Sequence, residues 1–258
     1  MNVDIEVYLS YFAPQKTDIL LQIEGTEQGS QSIVSANIDI PFTDHFVRIE
    51  AEDGYGERIW LRTTGEFRCT YNARIKIIRD VVEIADLKST PVHKLPAAAI
   101  RYLMPSRYCP SGEFQQFVHD KFDGKKGGKK IAAMRDWILK NIQYVPGASN
   151  FLTTAGDTFV HRQGVCRDFA HVMISLARAG GIPARYASVY SPDVTPQDFH
   201  AIAEVWLDGA WHMVDATGMS NPQSTVRIGV GQDSADVAFL TGFGNIDFNA
   251  QNVWVKQV

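Results

Sequence analysis

Residues Gln163–Pro183, QGVCRDFAHVMISLARAGGIP, place one cysteine where a glycine-bearing loop turns into a helix. After Cys166, apolar residues fall at Phe169, Val172, Met173, Leu176 and Ala177, the spacing of a helix with a buried face. Gly180, Gly181 and Pro183 end it, because glycine takes the left-handed position after a helix and proline cannot continue the ladder. Cys166 thus lies in the first turn, where free backbone N–H groups and the positive end of the helix dipole favour a thiolate. On this segment alone an inert core residue is an equal alternative, since free cysteines are among the most buried residue types. A nucleophilic cysteine needs a base, and the base needs something to orient it.

Downstream, Asp198–Thr217 reads DFHAIAEVWLDGAWHMVDAT, two strand-like runs around Asp208-Gly209. Aspartate-glycine between such runs is a strong short hairpin signal. A two-residue turn pairs Leu207 with Ala210, which sets Ile202 opposite Asp215 and His200 opposite Thr217. His200 and Asp215 then become diagonal neighbours on one face, with alpha carbons about 7–8 Å apart. A slip of one residue would send Asp215 to the other face. By parity His212 falls on that other face and is a decoy. In this constellation Cys166 attacks a carbonyl, His200 moves its proton and Asp215 fixes the imidazole tautomer. The Cys166 backbone N–H is one candidate oxyanion donor, and Tyr144 is a guess for the second.

Working outward, the 258-residue chain is 45% hydrophobic and 21% charged, so it can bury a substantial core. Its net charge of −4 is mixed along the chain, which shows no basic face for nucleic acid or anionic lipid. No basic start followed by an apolar run opens the sequence, and no apolar stretch reaches the roughly 18 residues of a membrane span. The expectation is a cytoplasmic protein with no membrane or nucleic-acid partner. Three cysteines, Cys69, Cys109 and Cys166, are far apart and odd in number, which fits free thiols in a reducing compartment.

From Asp4 to about Ala85, period-two alternation predicts short strands at Asp4–Tyr11, Asp18–Glu24, Ser32–Ile40, Phe46–Glu50, Arg58–Thr63 and Glu66–Ile78. Residues 1–88 are therefore read as an all-β sandwich or barrel. Pro91, Pro96, Pro105 and Pro110 then interrupt regular structure, so a proline-rich linker opens the second part, residues 89–258. Helical spacing follows weakly in Glu113–Lys121 and more clearly in Lys129–Ile142. Between them Gly124–Lys130, GKKGGKK, lacks the order of a phosphate-binding loop and reads as a solvated turn. The strands from Arg227 to Val258 are expected to complete the sheet of the second part.

The blocks QGVCRDFAHVMISLARAGGIPARY, DFHAIAEVWLDGAWHMVDATG and WILKNIQYVPGASNFLTTAGDTFVHR resemble the core of the transglutaminase-like superfamily, most of all its bacterial transglutaminase-like cysteine protease branch. The likeness runs from about Arg101 into the C-terminal strands, and the β-rich first part resembles an accessory domain found in that branch. It implies an α+β fold: a papain-like transglutaminase core, with the cysteine helix packed on an antiparallel sheet, preceded by an all-β N-terminal domain. It also implies a Cys, His, Asp triad, carried here by Cys166, His200 and Asp215. The family pattern has Trp after His-Ala and Pro after the Asp, where this chain has Ile202 and Ala216.

The resulting expectation is a thiol-dependent acyl-transfer enzyme, a cysteine protease or amidase acting on a peptide or protein amide through a thioester, with no cofactor. The alternatives are amide transfer to an amine, as in a transglutaminase, and a non-catalytic binding or scaffold module. Metal binding by Cys166, His171, His200 and His212 has no paired ligand spacing to support it, and His171 sits about 140° around the helix from Cys166. Arg167 and Asp168 read as structural charges of a first turn, and Trp206 and Trp211 as core or cleft wall.

Overall fold

The computed structural model describes residues 1–41, 43–80 and 82–258. The first part contains β1 (Asn2–Leu21), β2 (Gln31–Asp39), β3 (His45–Glu50) and β4 (Glu57–Ile77). The short strands expected at its two ends are joined: β1 and β4 pair antiparallel along most of their lengths, with a bulge between Ala13 and Thr17. At that bend Ala13 faces Gly65, whose φ of +79° is cheap for glycine alone. Alternating residues such as Val3, Ile5, Val7 and Leu9 are buried, as period two requires for a sheet with one covered face.

The helical part follows as α1 (Ala97–Ile100), α2 (Gln115–Phe122), α3 (Gly127–Asn141), β5 (Gln143–Tyr144), α4 (Ala155–His161), β6 (Gln163–Gly164) and α5 (Cys166–Ala179). The remaining strands are β7 (Ala184–Tyr190), β8 (His200–Leu207), β9 (Ala210–Val214), β10 (Val226–Gly231), β11 (Leu240–Gly242) and β12 (Asp247–Gln257). A four-stranded antiparallel sheet runs β10-β7-β8-β9. The α5 helix packs on β7 and β8, and α2, α3 and α4 enclose its other sides. Its buried residues run unbroken from Asp168 to Arg178, so the helix is central rather than buried on one face. The α+β architecture with a cysteine helix on an antiparallel sheet, behind a β-rich N-terminal part, matches the fold that the sequence implies.

Two expectations need correction. The C-terminal strands do not all complete the core sheet: β10 pairs with β7, but β11 and β12 return to pair with β1. The first sheet therefore has six strands and draws two of them from the end of the chain. Period two marks which face of a strand is covered; it carries no signal for which strand lies beside it. The second correction concerns Gly124–Lys130. Its lysines are mostly exposed, but Gly127 and Gly128 are buried, and the Gly128 N–H donates to the Leu87 carbonyl at 2.8 Å. A Cβ on Gly128 would stand 1.6 Å from the Ile84 carbonyl oxygen, so these glycines are close-approach residues for α3.

The two sheets share a core in which Tyr190, Val226 and Ile228 pack with Ile5, Leu61 and Tyr71. Polar contacts add to it. The turn at Glu52–Gly54 brings Asp53 to the Tyr102 hydroxyl at 2.7 Å and to Arg185 Nη1 at 3.1 Å. Arg185 lies between the rings of Tyr55 and Trp211, 4.5 and 4.3 Å from their centroids.

Candidate active site

The Asp208-Gly209 turn has φ of 46° and 80°, the positive pair of a two-residue hairpin. It pairs Leu207 with Ala210, Trp206 with Trp211 and Ala203 with Val214, the register read from the sequence. The ladder ends at Val214, and Asp215 lies just beyond it. His200 Nε2 donates to Asp215 Oδ2 at 2.9 Å. The other ring nitrogen, Nδ1, is left free of Asp215, and Cys166 lies near enough to His200 to favour its charged form. The structure thus brings Cys166, His200 and Asp215 together. His212 is turned elsewhere, its Nε2 3.1 Å from the Leu207 carbonyl.

Asp215 is held by more than histidine. Its Oδ1 accepts from the Thr217 N–H (2.8 Å) and hydroxyl (2.7 Å), and its Oδ2 also accepts from the Ser220 N–H (2.8 Å) and hydroxyl (2.7 Å). Burial alone would raise this carboxyl, but His200, Thr217 and Ser220 together hold it down to about 2. Burial pushes the His200 imidazole down, and hydrogen bonds and charge from Asp215 and Cys166 reverse that and carry it up to about 9. The clamp residues Thr217 and Ser220 were missed in the sequence, although hydroxyls two and five residues after an aspartate are a turn signature.

At the helix start, Asp168 is fully buried. Its carboxylate accepts the Val165 N–H at 2.8 Å, the Ser149 hydroxyl, and Arg167 Nε and Nη2 at 3.1 and 2.8 Å. This fixes the loop that delivers Cys166. A Cβ on Gly164 would lie 2.8 Å from that of Asp168, which explains the glycine two residues before the cysteine. The Cys166 N–H is in the first turn and has no intrahelical acceptor. Tyr144, on the two-residue strand beside β6, places its hydroxyl against both that N–H and the thiol. Burial first, then the Cys166 sulfur, push the Tyr144 phenol up to about 12, so it keeps its proton and can donate.

Cys166 is half-buried, whereas Cys69 and Cys109 are buried thiols pushed up to about 12 by desolvation. His171, one turn deeper in α5, stacks on Tyr108 at 5.2 Å and accepts from the Ser234 N–H. Burial holds it down to about 4, so it is a neutral packing residue. Among the described residues no group of three His, Cys, Asp or Glu is placed to hold a metal ion. No helix of the described residues is long and apolar enough to cross a membrane.

Cys166 and His200 open onto a cleft of about 550 Å³, walled by Phe151, Tyr186, Phe199 and Phe239 with Arg107 and Arg167 at its rim. Ile202 and Ala216, where the family pattern has Trp and Pro, do not line it. Ile202 packs with Val189, Met213 and Val230, and Ala216 packs in the α5 core.

A thiol in the first turn of a central helix, facing His and Asp on an antiparallel hairpin, defines a papain-like protein. The transglutaminase-like superfamily model matches residues 116–216. A crystal structure of "a Putative Cysteine Protease from Cytophaga hutchinsonii" superposes with a TM-score of 0.93 at 32% identity, covering 99% of this chain and 90% of that one. The chain belongs to the transglutaminase-like superfamily. An uncharacterized protein of Mycobacterium leprae is 30% identical over 122 residues, 44% of this chain and 44% of that relative. One of Mycobacterium tuberculosis is 31% identical over 130 residues, 45% of this chain and 41% of that relative. The match spans less than half the length of either mycobacterial relative. The family and the Cytophaga hutchinsonii neighbour support a thiol-dependent enzyme in general terms.

Proposed function

We propose that the protein is a cysteine protease or amidase that cleaves a peptide or protein amide through an acyl-enzyme on Cys166. The observation that carries this reading is Cys166 beside His200 on one cleft, with His200 hydrogen-bonded to Asp215 at 2.9 Å. Cys166 Sγ attacks the amide carbon while its proton resides on His200 Nδ1. The carbonyl oxygen becomes an oxyanion that accepts from the Cys166 N–H and the Tyr144 O–H. On collapse the C–N bond breaks, His200 gives its proton to the departing amine, and a thioester remains. Water then attacks the thioester, His200 takes a proton from it, and the carboxylic acid leaves as the thiol is restored. Asp215 stays ionised throughout and stabilises the imidazolium.

Hydrolysis is favoured over transfer to an amine by the charge of the cleft. Arg107 lines it, Arg167 lines it paired with Asp168, and no Asp or Glu is among the described lining residues, so the cleft offers a protonated lysine no counter-charge while water needs none. Aromatic walls suit an apolar substrate side chain beside the scissile bond. The test is acyl-enzyme trapping: incubation with a peptide library, acid quench and mass spectrometry of the Cys166 peptide. An acyl mass on Cys166, absent from His200→Ala, supports the reading. Alkylation of Cys166 by iodoacetamide at pH 6 no faster than that of Cys69 and Cys109 would leave a non-catalytic module instead.

A further inference from the structure

The two arginines that line the cleft are not equivalent. Arg167 donates to Asp168 from Nε and Nη2 at 3.1 and 2.8 Å, and its Nη2 also reaches the Ser149 hydroxyl and the Asn150 carbonyl at 3.1 and 2.8 Å. Its charge is answered by a fully buried carboxylate. Arg107 is exposed, and among the described residues its guanidinium has neither a hydrogen-bond acceptor nor an ion pair. The carboxylates near the cleft are occupied elsewhere. Asp233 is buried and accepts the Tyr108 and Ala235 N–H groups, each at 2.9 Å, while Asp198 accepts the Phe199 N–H at 2.7 Å and Gln251 Nε2 at 2.6 Å.

The backbone that carries Arg107 is fixed. Ser106 and Cys109 exchange two main-chain hydrogen bonds, at 3.1 and 3.2 Å, which close a turn with Arg107 and Tyr108 at its tip. Arg178 Nη1 donates to the Ser106 hydroxyl at 3.1 Å, the Tyr108 hydroxyl donates to the Phe151 carbonyl at 2.7 Å, and the Tyr108 ring stacks on His171. The Arg107 guanidinium carbon rests 4.9 Å from the Tyr108 ring centroid. A guanidinium held against a ring on a braced turn has less freedom to lose when an anion arrives than an ordinary surface side chain has. A cleft of about 550 Å³, taken as compact, is roughly 10 Å across, so at ~3.5 Å per residue Arg107 stands within about three residues of an amide on Cys166.

We infer that Arg107 is a specificity residue: it selects peptides that carry a carboxylate within about three residues of the amide attacked by Cys166, pairing with that carboxylate at the rim of the cleft. The carboxylate belongs to an acidic side chain or to the chain terminus; both offer the guanidinium the same two oxygens. The inference rests on the acyl-transfer reading for the substrate being an amide, and its test does not use amide cleavage. The probes are thiol-directed tripeptides of otherwise neutral residues, with Glu or its uncharged twin Gln at each position in turn. Iodoacetyl tripeptide amides extend to one side of the thiol and tripeptide chloromethyl ketones to the other. The readout is the rate of Cys166 alkylation by mass spectrometry, as the Glu to Gln ratio at each position.

At one position or more the Glu probe should react about threefold to tenfold faster than its Gln twin in low salt, and about 0.5 M salt should shrink that ratio. Arg107→Gln should lower the ratio by the same factor and Arg107→Glu by more; His200 and the helix dipole act alike in all three proteins, so the comparison isolates Arg107. A neutral iodoacetyl tripeptide with a free C-terminus that outruns every Glu amide identifies the chain terminus; the reverse identifies an acidic side chain. Glu and Gln probes reacting alike at every position, or a ratio that is unchanged in Arg107→Gln, would overturn the inference. Loss of acyl-enzyme trapping with the ratio intact would instead strike the hydrolase reading and leave Arg107 as the carboxylate selector of the thiol site.

Discussion

Replacing Asp215 with Asn tests the electrostatics of the site directly. Five donors converge on this carboxylate, from His200, Thr217 and Ser220, and the residue is only 8% exposed. An amide keeps one acceptor oxygen, so its NH2 must face either the Thr217 N–H or the Ser220 and His200 donors. One backbone N–H then loses its acceptor, at about 1–3 kcal/mol. The effect on His200 is larger. His171, buried without a carboxylate bond, is held down to about 4, while His200 with Asp215 and Cys166 reaches about 9. Losing the Asp215 charge should lower His200 by at least about two units, which is ~2.7 kcal/mol or a hundredfold in proton affinity. Alkylation of Cys166 at pH 6 should slow by about that factor, and kcat/KM should fall by about 10³–10⁴ as the tautomer is lost. The assay is the iodoacetamide rate from pH 5 to 10, followed by mass spectrometry on the three cysteine peptides, with Cys69 and Cys109 as internal controls. A folded Asp215→Asn protein whose Cys166 profile overlays that of the unmutated chain would refute this account of how the imidazole is charged.

Tyr144→Phe removes the hydroxyl beside the Cys166 N–H and should lower kcat about 10²-fold with little change in KM or in alkylation rate; steady-state kinetics on a trapped-peptide substrate separates these. Because His200 is raised from 6.5 to about 9, its contribution to stability is full below about pH 6.5 and is lost as pH rises through about 9, a change of ~3 kcal/mol. Urea unfolding from pH 6 to 10 should show that decline, and His200→Gln should lack it. Glu204→Gln leaves Arg185 and Arg227 facing each other in a buried site and should cost about 3–5 kcal/mol, read as a fall in Tm. The Glu204 carboxyl is raised by burial but held down to about 2 by the two arginines, so its contribution is present above about pH 4.5 and is lost as pH falls through about 2.

The parts of the site that were legible in the sequence are those fixed by local geometry. Asp208-Gly209 sets the hairpin register, the register sets parity, and parity puts His200 and Asp215 on one face while sending His212 away. The helix spacing after Cys166 likewise fixes its position in the first turn. Tyr144 could only be guessed, because its nearness to Cys166 rests on the two-residue pairing of β5 with β6 across an intervening helix. Glu204 carried no mark of its partners either. A glutamate on the His200 face of a strand reads as a solvated residue until the neighbouring strands deliver Arg185 and Arg227. In the first sheet, the strands expected at Asp4–Tyr11 and Asp18–Glu24 are largely one strand: the chain bulges between Ala13 and Thr17 and continues, since a bulge tolerates what a regular ladder does not.

The return of β11 and β12 to the first sheet bears on how the cleft is built. Between β10 and β11 the chain crosses the mouth of the site, and Ser234, Ala235, Val237, Ala238 and Phe239 from this crossing line the cleft. Its far end is fastened to the N-terminal sheet: Leu240–Gly242 pairs with Ile19–Leu21, and the Gln22 N–H donates to the Phe239 carbonyl at 2.9 Å. Phe239 then stacks on Phe199 with ring centroids 4.5 Å apart, directly before His200. The near end is fixed to the helical part through Asp233, whose carboxylate accepts the Tyr108 N–H, and through Ser234, whose N–H donates to His171. One wall of the cleft is therefore a strap held at one end by the helical part and at the other by β1. The first sheet shapes the cleft without supplying any residue of the Cys166, His200 and Asp215 set, because it fixes where the strap, and with it Phe239, must lie.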